Sequence, residues 1–212
     1  GPVAVMLEPR ATARLFAALA EHFDYGSFDG GDFFLQPDGE PLHMHVHMVD
    51  DGTLTGGLRS HSFDDRGIRP VPLTLLREGH VAGRFLDLPM AQRLDLTPTG
   101  HEFEGVVGPT NLLLKSGTRS MNAHMAERGG TVVMLADLPP HLRLDSATGD
   151  VSAVVNGVVY KDNVATGGVR NVRLTGNLKT VLRQVEAIAS DTDRVEHVDA
   201  PGLLVHGFTL GG

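Results

Sequence analysis

Three histidines at alternate positions, His43, His45 and His47, stand in the run Leu42-His43-Met44-His45-Val46-His47-Met48-Val49-Asp50. Extended backbone sends successive side chains to opposite faces, so a strand here presents three imidazoles on one side and Met44, Val46 and Met48 on the other. Imidazole nitrogen is a common zinc ligand, and the three rings, with Asp50 close behind them, are candidates for a metal site. Same-face neighbours on a strand sit roughly 6 to 7 Å apart, so three in line converge on one small ion only with a bulge or a second strand. The simpler expectation puts Met and Val in the core and the histidines on a polar surface or cavity. Asp50, Asp51, Asp64 and Asp65 offer carboxylates, but their spacing reproduces no calcium loop and they read first as turn residues. His101-Glu102 lacks the second histidine of a metal-binding helix. With no cysteine in the chain there is no thiolate nucleophile, disulfide frame or Cys-based zinc site.

The elements that must carry these groups follow from periodicity. Val169 to Thr175 mixes β-branched and polar residues as a strand does, and Thr175-Gly176-Asn177 supplies a turn and a helix cap. Leu178, Val181, Leu182, Val185 and Ile188 recur at helical spacing, which predicts a helix ending at Ser190-Asp191. Val3 to Leu7 is an apolar strand, and Pro9 suits the first position of a helix running to Phe23 with Leu15, Phe16, Leu19 and Phe23 on its apolar stripe. Tyr25 to Gly39 reads as an exposed loop. Residues 72–76 and 81–86 predict a hairpin, 91–96 a short helix, 97–108 an irregular stretch, and Ser120 to Arg128 an amphipathic helix with Met121, His124 and Met125 at its core margin. Thr131 to Leu135, Val158 to Tyr160 and Pro201 to Leu210 are further strands. Many short strands and few helices predict an α+β fold with a mainly antiparallel, twisted, partly barrel-like sheet.

The chain has 212 residues, 18 basic and 26 acidic, for a formal charge of −8. That length fits one domain spanning 1–212. Scattered basic residues in an acidic chain argue against direct nucleic-acid contact. No apolar run approaches the roughly 20 residues of a membrane span, and no basic segment with an apolar stretch opens the chain. A cytoplasmic protein with no membrane contact is the expectation.

Thr148-Gly149-Asp150, Val158-Val159-Tyr160, Gly167-Gly168-Val169-Arg170 and Leu174-Thr175-Gly176-Asn177-Leu178 together resemble the C-terminal half of the TldD/PmbA family. That family includes zinc metallopeptidases, some also labelled modulators of DNA gyrase, and works as paired subunits, one catalytic (TldD) and one PmbA-like (TldE). The opening Val3 to Pro9, the Val49-Asp50-Asp51-Gly52 turn and the last strand extend the resemblance over nearly the whole chain. Family members carry an N-terminal domain before this region, and that domain is absent from these residues. Gly1-Pro2 suits either a protease scar or the family's usual Gly before its first strand. In the catalytic subunits the first helix carries HExxxH, two zinc-binding histidines and a glutamate that polarises water. The resemblance places Ala17 and Ala18 at the first His and the Glu, and His22 at the second His. The family's cysteine ligand has no counterpart.

Three functions stay open at this stage. The first is a non-catalytic PmbA-like subunit, or its C-terminal domain, that pairs with a TldD-like catalytic subunit holding the zinc and helps shape a chamber for peptide substrates. The second is an autonomous metal-dependent hydrolase with its site rebuilt from His43, His45 and His47. The third is a structural domain that forms homodimers.

Overall fold

In the computed structural model, which describes residues 2–26, 30 and 33–211, a five-stranded barrel closes at the chain's two ends. β1 (Pro2–Leu7) pairs in parallel with β8 (Thr131–Leu135), matching Leu7 to Leu135. β8 pairs antiparallel with β10 (Asp150–Lys161), β10 with β11 (Val164–Asn177), and β11 with β13 (Val198–Gly211). β13 returns antiparallel to β1, matching Leu203 to Leu7, and closes the ring. The fold is α+β with a mixed, mostly antiparallel sheet, as the sequence predicts.

The continuous apolar run of β1 has a direct cause. Val5 and Leu7 point into the main core with Leu174, Leu182 and Phe208, while Ala4 and Met6 pack on the other face with Met125, Val132 and Leu204. A strand buried on both faces cannot alternate polar residues. α1 (Pro9–Ala20) starts at Pro9, after the extended Glu8, and buries Leu15, Phe16 and Leu19 along one stripe against β12 (Val185–Val195) and β13.

β13 also extends the sheet away from the barrel. Its first residues pair in parallel with β7 (Leu112–Leu114), which pairs with β2 (Met48–Asp50), then β3 (Leu73–Arg77) and β4 (His80–Val81). α2 (Leu88–Leu94) follows, capped by the Asp87 carboxylate. α3 (Met121–Arg128) is capped by Ser120, whose hydroxyl accepts the Ala123 N–H. β9 (Arg143–Leu144) adds to β10.

Several local expectations are corrected. α4 (Leu178–Arg183) ends well before Ser190, and Val185–Val195 is instead the strand β12. The Gln184 N–H is shared by the Thr180 and Val181 carbonyls, and pairing of Val185 with Val205 then captures the chain. Long-range pairing thus overrides the helical spacing of Val185 and Ile188. Residues 43–47 are a turn, because the Val46 N–H donates to the His43 carbonyl at 2.9 Å, so the expected strand shrinks to Met48–Asp50. The hairpin's second strand is only His80–Val81. Residues 97–108 contain a small hairpin, β5 (Glu102–Phe103) with β6 (Val106–Val107). Within the expected loop 25–39, Phe33, Phe34 and Leu35 are buried, while residues 27–29, 31 and 32 lie outside the described residues.

Asn177 caps α4 as expected and does more. Its carbonyl oxygen accepts the Thr180 N–H at 3.4 Å, and its amide donates to the Thr148 carbonyl and the Asp150 carboxylate at 2.7 and 2.9 Å. Asn177→Ala is expected to cost about 1 to 2 kcal/mol in urea denaturation, the range for a lost cap. An unchanged midpoint would show that this junction is held by Leu178 alone.

Candidate functional site

Two regions merit attention, the exit of α1 and a cleft beside the histidine turn. At the first, Ala17 and Ala18 are half-buried and present only methyl groups, and His22 follows the helix beside the Phe33 ring, 6.2 Å between centroids. Ion pairs cover this helix: Arg14 donates to Glu196 at 2.7 Å and Arg10 to Asp137 at 3.1 Å. Next to it lies a cavity of about 340 Å³ lined by Glu21, Arg59, Phe103, Pro109 and His197. Burial pushes the His197 imidazole down to about 4; the Arg59 guanidinium adds to this and Glu196 opposes it. A zinc held on this helix needs two imidazoles and a further ligand, with a carboxylate to activate water. One imidazole and two methyls do not fit that requirement.

The histidine turn gives a different picture. The His43 N–H donates to the Leu182 carbonyl at 2.9 Å, anchoring the turn to α4. The His43 ring accepts the His45 N–H at 3.3 Å, and the two rings stand 5.1 Å apart. Burial, then the neighbouring His45, lowers the His43 pKa. His45 and His47 line a cleft of about 660 Å³, and His43 does not. The other walls are Met44, Arg77 and Glu78, residues 115–119, His124 of α3, and Glu186, Ala187 and Ile188 of β12. Among the described residues no three His, Asp or Glu side chains come together to hold a metal ion.

Electrostatics in this cleft are uneven. Burial alone would raise the Glu186 pKa, but hydrogen bonds with His206 and Arg128, at 2.6 and 3.0 Å, outweigh it and hold the carboxyl below its usual range. The side chains of Arg77 and Lys115 have no ion-pair or hydrogen-bond partner among the described residues, and His124 Nε2 is buried with none. Lys115, Arg119, Glu186 and His206 have no local sequence signal tying them to His45; only pairing across more than sixty residues joins them. His124 was visible as a helix-margin residue, without a role.

The aspartates sort into turns and one buried acid. Asp51 accepts from Thr53 N–H and hydroxyl at 2.8 and 2.6 Å, and Asp64 from the N–H groups of Arg66 and Ile68, both at 2.9 Å. Asp65 accepts the Glu104 N–H. Asp50 is fully buried and takes both the N–H and the hydroxyl of Thr110. Burial drives its pKa up to about 6 against those donors. The buried His101 Nε2 is 3.7 Å from Asp50, and burial pushes His101 down to about 4. Glu102 is buried too, and Arg66 donates to it at 2.9 Å.

Comparison with known proteins adds the following. A family profile described as the PmbA/TldA metallopeptidase C-terminal domain matches residues 1–212. "Metalloprotease PmbA" of Escherichia coli O157:H7 is 22% identical over 176 residues, 83% of this chain and 36% of that protein. A metalloprotease PmbA homolog of Buchnera aphidicola is 24% identical over 161 residues, 74% of this chain and 34% of its own length. The chain thus spans about a third of these curated relatives. Among solved structures, a proposed modulator of a DNA gyrase from Thermotoga maritima superposes with a TM-score of 0.87 at 24% identity, covering 99% of this chain and 50% of that one. TldE from Thermococcus kodakarensis superposes with a TM-score of 0.85 at 18% identity, covering 100% of this chain and 50% of its own. At these identities the likeness establishes the fold.

Proposed function

The chain belongs to the PmbA/TldD family, as an example of its metallopeptidase C-terminal domain, and on that premise we propose that it is a non-catalytic, TldE-like partner of a TldD-type zinc subunit. The observation that carries this reading is the surface of α1. Where the resemblance puts the catalytic His and Glu, Ala17 and Ala18 offer no ligand and no base, and no cysteine exists to complete a zinc shell. Glu196, a carboxylate beside this helix, is already engaged by Arg14 at 2.7 Å. Catalysis of peptide hydrolysis therefore falls to the partner, and this chain contributes a wall of the substrate chamber.

A native mass spectrum tests the proposal. The chain alone is expected to carry no zinc, and mixing with an HExxxH-bearing TldD-type subunit is expected to give a complex with zinc on that subunit and peptidase turnover that needs both chains. One zinc per chain in the unmixed sample, lost on changing His43, His45 and His47 to Ala, would overturn it in favour of an autonomous metal hydrolase. A stable homodimer that ignores the catalytic subunit would favour the structural-domain reading instead.

A further inference from the structure

We propose that the cleft between the histidine turn, residues 115–119 and β12 is a binding site for an acidic peptide segment. The inference deepens the partner-subunit reading by naming the ligand class this chain would hold, and it rests on that reading for its biological setting only. The geometry stands by itself.

Charge is the first argument. The chain carries −8 overall, and six of its arginines outside this cleft are held by carboxylates: Arg10 and Arg14 by Asp137 and Glu196, Arg66 by Glu102, Arg128 by Glu186, Arg183 by Glu40, Arg194 by Asp199. Within this cleft, Arg77 and Lys115 stand without such partners among the described residues. Of the carboxylates on its walls, Glu186 is already engaged by Arg128 and His206, which leaves Glu78. Arg119 faces the cleft too but is paired with Glu127. Glu78 offsets one of the Arg77 and Lys115 charges, and the cation that remains gives the concavity a net positive charge within an acidic protein, a potential that concentrates anionic ligands.

Hydrogen-bonding capacity is the second. The imidazoles of His45 and His47 line the wall, and the Nε2 atom of His124 is buried without a partner. A buried unpaired nitrogen costs free energy that a ligand group or water recovers. Size and polarity are the third. About 660 Å³ exceeds the needs of one carboxylate or phosphate and falls in the range of sites for larger ligands. Met44, 64% exposed, and Ile188 give the cleft an apolar lip. A ligand with carboxylates beside apolar groups matches that mixture, and a peptide with alternating acidic and aliphatic residues is its simplest form.

Fluorescence anisotropy of the purified chain with a labelled peptide of alternating Glu and Leu measures this directly, without any catalytic partner. The Glu/Leu peptide is expected to bind at least about tenfold tighter than the same peptide with Gln for Glu, and to weaken as salt rises. Arg77→Glu combined with Lys115→Glu is expected to cost about tenfold or more, while Arg143→Glu, on another face, leaves affinity unchanged. If the double charge reversal shifts the unfolding midpoint, Arg77→Gln with Lys115→Gln serves in its place. Equal binding of the Gln peptide, no loss in the double variant, or displacement by inorganic phosphate or a short oligonucleotide as effectively as by the unlabelled peptide would overturn the proposal. Because the chain is tested alone, a missing partner complex and a failed peptide site are separate outcomes.

Discussion

Asp50→Asn is expected to make the protein lose roughly 2 to 3 kcal/mol more stability than the parent chain as pH falls from 6.5 to 4. The folded Asp50 takes a proton near 6, while the unfolded carboxyl waits until about 3.8. Between those values the native state binds the extra proton, so acidification favours folding through this group. His101 works in the other direction. Its folded pKa is about 4 against 6.5, so the unfolded chain is protonated first and stability falls over the same window, by about 3 kcal/mol. The two groups lie 3.7 Å apart and nearly cancel. His197, also about 4, adds a further acid loss that nothing beside it offsets. The parent chain should therefore still lose stability down to pH 4, mainly through His197.

Urea midpoints from pH 7.5 to 4 give the test. Asp50→Asn removes the compensating gain and steepens the acid limb. His101→Leu removes the larger loss and flattens or reverses it. Reading the slope keeps any effect of either substitution at neutral pH out of the comparison. Parallel curves for all three proteins would mean that Asp50 and His101 keep ordinary proton affinities despite their burial.

Much of this arrangement was legible in the sequence, for reasons that differ by residue. Val3 to Leu7 and Thr131 to Leu135 are apolar, β-branched runs whose strand state agrees with local preference, and both sit in the barrel. Pro9, Ser120 and Asn177 announce helix starts through chemistry confined to one turn. Asp51 and Asp64 act as the turn residues they were read to be. Failures occur where distant pairing decides. Val185 and Ile188 fit a helical stripe equally well as they fit a strand, and only β13 settles the matter. The alternation of His43, His45 and His47 mimics a strand, yet α4 takes the His43 N–H and folds the segment into a turn. Nothing local marks Asp50 as the buried acid of its Asp-Asp pair, since the Thr110 donors that hold it lie sixty residues away. The cleft escaped for the same reason: its walls come from four separate stretches of chain.

The tightest of those junctions is also the most vulnerable. A methyl group at Gly117 would sit 1.9 Å from the Ile188 carbonyl oxygen, a backbone atom that cannot rotate away. Gly117→Ala must therefore push residues 115–119 off β12, straining the Gly117 N–H bond to Ala189 at 2.9 Å and the Ser190 N–H bond to Arg119 at 2.7 Å. The expected cost is about 2 to 3 kcal/mol, the range for inserting a methyl where packing is closed, or roughly 5 to 10 °C in melting temperature for a chain this size. Gly108→Ala is the matched control, because no atom lies within 4 Å of its added methyl, and it should be neutral or slightly stabilising. The displacement carries Lys115 and Arg119 with it, so the Gly117 variant should also bind the Glu/Leu peptide more weakly at temperatures where it remains folded. A melting temperature within about a degree of the parent would show that the segment yields freely. In that case a rigid cleft is the wrong picture, and its cations are placed by the ligand rather than for it.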